Sequence, residues 1–136
     1  MQNTLEFIEE TSPTFYSAEA YFHDPKVPIE ERAAEFGLKG SAYSWSHATM
    51  DWQEAQDHVE MLHRRINTSA FLPLYGVDVW SVPYFLANGI SRTQLIDFLH
   101  IAQRMIVRNF DEAEPDYSAE KARMAAIFAS KPAVMA

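Results

Sequence analysis

The 136-residue sequence contains no cysteine. That absence removes disulfides, thiolate nucleophiles, iron–sulfur ligation and any Cys-x-x-Cys redox centre. Basic side chains are also scarce: 11 Lys and Arg stand against 19 Asp and Glu, for a formal net charge of −8. The average field repels nucleic acid and anionic membrane surfaces, so neither is expected as a partner. No window approaches the roughly 20 apolar residues that a membrane-spanning helix needs. The first residues, MQNTLEFIEE, lack both the basic region and the apolar run of an export signal, so a cytoplasmic location is expected. Strict apolar–polar alternation between turn residues is missing, as are low-complexity linkers and fixed-period repeats. These absences predict no sheet.

What is present suits a packed helical domain. Hydrophobic residues make up 48% and charged residues 22% of the chain, a globular balance for which one domain over 1–136 is the expectation. The longest helical pattern runs over 43–67. Its apolar residues Ala48, Trp52, Ala55, Val59, Leu62 and Ile66 step by three and four along one stripe of a helix of about 3.6 residues per turn. A second series, His47, Asp51, Glu54 and His58, runs one position behind it, at the edge of the buried face. His63 falls on the opposite flank.

Elsewhere the signals are mostly those of helix ends. A short helix over 4–10 stops at Ser12-Pro13, and Ser12 and Pro13 can cap and open another over 13–22. Pro28 opens a further helix with Glu30 and Glu31 in its first turn, and Gly37 fits the left-handed position that ends it. The stretch 68–77 reads as a partly helical connection. A helix over 78–88 ends at Gly89. Ser91 and Gln94 then form a capping box, and Ile90 and Leu95 have the spacing of a hydrophobic staple. From there a second full apolar stripe runs through Phe98, Leu99, Ala102, Met105 and Ile106. Ser118 caps a last helix, stopped by Lys131-Pro132. The expected fold is all-α, a compact domain of about six helices with 43–67 and 91–110 as its central packed pair.

The candidate chemistry lies with the imidazoles and their neighbours. Glu54 stands one turn before His58 and can orient it as a general acid–base group, with His47 and Asp51 on the same edge. As metal ligands these four supply only part of a shell. Glu60-x-x-His63 matches half of a di-iron motif whose other half is missing, so no metal is expected. The same residues also suit an ordinary solvated helix edge, where a Glu–His pair contributes a few tenths of a kcal/mol.

Asp78, Trp80, Pro83, Gly89, Ile90, Ser91, Leu95 and His100 make an acidic-Trp segment, a short helix ending in glycine and a Ser-capped helix carrying a His. In this stretch, 78–102, the chain resembles the carboxymuconolactone decarboxylase family. The resemblance implies an all-helical oligomer without organic cofactor that acts on small organic acids by proton transfer, with Asp78 and His100 as site residues. It departs from the family at Ser81, near which members carry a functional His. The missing cysteines exclude the AhpD-like peroxidase branch.

Together these features predict a cofactor-independent acid–base enzyme of lyase or isomerase type. His58 or His100 would move the proton, with Glu54, Asp51 and His47 beside it. Trp52, Trp80, Tyr84 and Asp78 would line the substrate pocket. The competing expectation is a non-catalytic helical subunit that self-associates or docks on a larger protein.

Overall fold

The computed structural model describes residues 2–73 and 77–130. The middle of the 68–77 connection and the Lys131-Pro132 stop lie outside the described residues. Among these described residues, six α-helices are joined by five short strands in two sheets: α1 (Gln2–Thr11), β1 (Phe15–Tyr16), α2 (Ala33–Phe36), β2 (Lys39–Ser41), β3 (Ser44–His47), β4 (Met50–Asp51), α3 (Trp52–Arg65), β5 (Ala70–Phe71), α4 (Ser81–Ala87), α5 (Arg92–Asp111) and α6 (Ser118–Ala129). The fold is mixed α/β, which overturns the all-α expectation. Among the described residues, no helix is long and apolar enough to cross a membrane.

Two compact units emerge, one from Met1–Ser17 with His63–Ala136 and one from Ala18–Leu62. In the first, the predicted helix over 13–22 does not form. Phe15 and Tyr16 instead pair in parallel with Ala70 and Phe71, bracketed by Ala70 N–H to Thr14 C=O (3.1 Å) and Leu72 N–H to Tyr16 C=O (2.8 Å). Aromatic and β-branched residues favour extended backbone once a partner strand is present, and here that partner arrives from far along the chain.

The capping box of α5 is complete: Gln94 N–H donates to Ser91 Oγ at 3.2 Å and Ser91 N–H to Gln94 Oε1 at 2.9 Å. Ile90, Leu95 and Leu99 are buried with Ala70 and Leu72, and Phe85, Phe98 and Phe128 close around them. Each fully buried Leu contributes about 1.5–3 kcal/mol relative to an exposed one. In this core α5 packs against α6, β5 and α4, partners that the expected central pair of 43–67 with 91–110 does not include.

In the second unit, the first part of the predicted 43–67 helix is sheet. Strands β2, β3 and β4 form an antiparallel meander. Gly40 sits at φ 78°, and a Cβ there would meet the Ser44 carbonyl oxygen at 2.0 Å. Only glycine accommodates that turn. Trp45 is buried, and its indole N–H donates to the Tyr21 carbonyl at 2.7 Å. That bond fixes β3 as strand and rotates Ser44 outward, a period of two that overrides the helical step. The helix begins only at Trp52. Pro28 and Gly37 behave as the sequence predicts: a 3-10 turn opens at Pro28 and runs into α2, and Gly37 closes α2 at φ 62°.

Candidate functional site

His63, in the last turn of α3, is 5% exposed. Its ring lies edge-on to Phe71 at 4.3 Å, with Tyr16 at 6.4 Å and Phe110 at 6.1 Å. The cage leaves Nδ1 buried without a hydrogen-bond partner. Burial pushes the imidazole pKa below its ordinary value of 6.5, because a charged ring would hold an N–H on Nδ1 with no acceptor. His63 is therefore a neutral wall. The same burial raises the phenol pKa of Tyr16 far above its usual range.

Behind this wall stands Gln103, 4% exposed on α5. Its amide donates to the carbonyls of His63 at 2.9 Å and Ile66 at 2.8 Å, and its oxygen faces Phe71 N–H at 3.4 Å. The end of a helix leaves its last carbonyls without internal partners, and one side chain of α5 satisfies two of them.

A groove of about 300 Å³ opens against His63 and Gln103, with Arg64, Asn67, His100, Arg104, Val107, Arg108 and Glu120 completing its lining. Two of its three guanidiniums are already engaged. Arg64 makes a two-pronged pair with Asp111 at 3.1 and 2.8 Å and covers the Phe110 ring. The pairing holds the Asp111 carboxyl below the usual range. Arg108 bonds both oxygens of Glu112 at 3.1 Å, Glu120 Oε1 at 3.0 Å and the Asp116 carbonyl at 2.9 Å, contacts that raise its own pKa. Arg104 is different. It is exposed and has no hydrogen-bonded or ionic partner among the described residues. His100, half-buried one turn before it, has none either. An imidazole and an unengaged guanidinium on one helix face can bind an anion and exchange a proton with it.

The residues expected to form the site are distributed as follows. His100 lines the groove. His47, Asp51, Glu54 and His58 belong to the Ala18–Leu62 unit. Asp51 and Glu54 bond each other's backbone N–H groups, Glu54 N–H to Asp51 Oδ1 at 2.9 Å and Asp51 N–H to Glu54 Oε2 at 3.0 Å. They form a capping box that starts α3, which accounts for both carboxylates. His47 stacks on Trp45 at 5.4 Å, and its Nδ1 accepts from Thr49 N–H at 3.2 Å, so it closes a turn. His58 and Trp52 are half-buried. Asp78 Oδ1 accepts from the N–H groups of Trp80 and Ser81 at 3.0 and 3.1 Å, an Asx-type cap on α4. Trp80 and Tyr84 stand 81% and 66% exposed and do not line the groove.

The sequence sets His63 apart on the opposite flank of the stripe and does not single out Gln103 or Arg104, although a signal exists. His100, Arg104 and Arg108 recur at i, i+4 and i+8 on one face of α5. Val59, Leu62, His63 and Ile66 have the spacing of a buried stripe that includes the imidazole. Among the described residues, no three His, Asp or Glu side chains converge as metal ligands. Comparison with protein-family models, curated proteins and solved structures gives no match, so any function has to be read from the groove itself.

Proposed function

We propose that the α3–α5–α6 groove binds a small organic acid and that His100 exchanges a proton with it, as in a cofactor-independent enzyme of lyase or isomerase type. The observation that supports this is the pairing of His100 with Arg104 one turn apart in a single groove, both without partners among the described residues. Arg104 would take the anionic group. His100 would accept the proton from the neighbouring carbon and return it, the bound anion staying in place throughout. His63, neutral and sealed, supplies an apolar wall that strengthens charge interactions beside it. The test is proton–deuterium exchange at the acidic C–H of bound organic acids in D2O, followed by NMR. Exchange that requires the wild-type protein and disappears in His100→Gln agrees with the proposal; acids that bind without any exchange leave a binding protein and end the catalytic reading.

A second reading, a non-catalytic self-associating subunit, has its own support in α4. Trp80, Tyr84 and Val79 are exposed, and residues 79–91 hold no charged side chain in a chain of net charge −8. Two copies of an acidic protein meet with least repulsion where charge is missing. Sedimentation equilibrium tests it: Trp80→Ser should dissociate any dimer, and a wild-type monomer at all concentrations removes the reading.

A further inference from the structure

The charges around the groove are nearly balanced, and the balance limits what can enter. Arg64 is held by Asp111, and Arg108 by both Glu112 and Glu120. Among the described residues of the lining, Arg64 and Arg108 thus share three carboxylates, and the guanidinium left unengaged is Arg104. His63 adds no charge, because its cage keeps the ring neutral.

Resting on the groove reading above, we infer that the site selects singly charged anions, with Arg104 as the specificity-determining residue. A ligand with one carboxylate, or another group of charge −1, meets one guanidinium in a two-pronged contact. A second negative charge meets no unengaged cation. It meets the carboxylate of Glu120 in the lining, whose Oε2 is already buried without a hydrogen-bond partner. To be neutralised it must pull Arg64 or Arg108 away from an existing carboxylate, stranding that carboxylate instead. Discrimination here comes from repulsion as much as from attraction. The groove volume, about 300 Å³, stands at the small end for ligand sites, which suits a small anion.

The experiment compares two ligands of the same skeleton, monomethyl succinate and succinate, at pH 8, where they carry one and two charges. Titration is followed by protein NMR with the intact chain. The expected result is binding of monomethyl succinate at least tenfold tighter than succinate, a difference of about 1.4 kcal/mol. Arg104→Ala should remove that binding, and Asp111→Asn, which takes one negative charge from beside Arg64, should narrow the gap between succinate and the monoanion. Succinate binding as tightly as its monoester in the wild type overturns the charge selection while leaving the groove as an anion site. If neither ligand shifts a groove resonance, the groove reading itself fails, and the selection with it.

Discussion

Gln103 holds His63 from behind: its side-chain amide donates to the His63 carbonyl at 2.9 Å while the His63 ring forms the wall of the groove. The same amide reaches Ile66 at 2.8 Å. A single buried side chain therefore joins the end of α3 to α5 and sets where the two histidines of the groove stand.

Replacing it should be costly. Gln103→Leu keeps comparable volume but leaves two carbonyls of the α3 end without their donor, each worth about 1–3 kcal/mol when buried. The expected loss is roughly 2–4 kcal/mol, read from the urea midpoint at unchanged m-value. A midpoint shift below about 0.5 kcal/mol would mean that those carbonyls find other partners.

The acid side of the stability profile should report on His63. Its folded pKa lies below 6.5, so as pH falls through 6.5 the unfolded chain takes up the proton first. Stability from this residue is complete above pH 6.5 and is lost as pH falls toward the folded value. In His63→Phe that slope should vanish, while the slope at lower pH remains. That lower slope belongs to carboxylates such as Asp111, whose stabilising share is present above its unfolded pKa and lost as pH falls through the depressed folded one. Unfolding curves for both proteins from pH 7.5 to 5 decide the matter.

Arg104 should matter for ligand and hardly at all for folding. It is exposed and engages nothing among the described residues, so Arg104→Ala is expected to change stability by less than about 0.5 kcal/mol. Anion binding should fall at least tenfold. Arg104→Lys should recover part of it, since an ammonium keeps the charge but not the two-pronged geometry. Calorimetric titration beside a thermal melt separates the two effects.

The Ala18–Leu62 unit offers an independent check at Gly40. With φ at 78° and a Cβ that would sit 2.0 Å from the Ser44 oxygen, Gly40→Ala must distort the β2–β3 turn. The expected cost is about 2–4 kcal/mol, from a clash with backbone added to a positive φ. Loss of the Trp45 near-UV signal should accompany it, and an unaltered spectrum and melt would contradict the turn geometry.

Several features of this protein follow from neighbouring residues alone. The capping box of Ser91 and Gln94, the stop at Gly89 and the turn at Gly37 each need only contacts within a few positions, and all three are read directly from the chain. Missing cysteine likewise excludes disulfide and thiolate chemistry whatever the fold. Asp51 and Glu54 show the limit of such reading: the sequence sets them on one helical edge with His47 and His58, and only the start of α3 at Trp52 makes them a reciprocal cap on its first turn. Tertiary structure alone decided that Phe15 and Tyr16 are strand, because the partner that satisfies their backbone, Ala70-Phe71, lies far along the chain. It also decided which histidines are buried and which guanidinium of the groove is left unengaged. Periodicity records the face on which a side chain sits; what meets that face is set by contacts between residues distant in sequence.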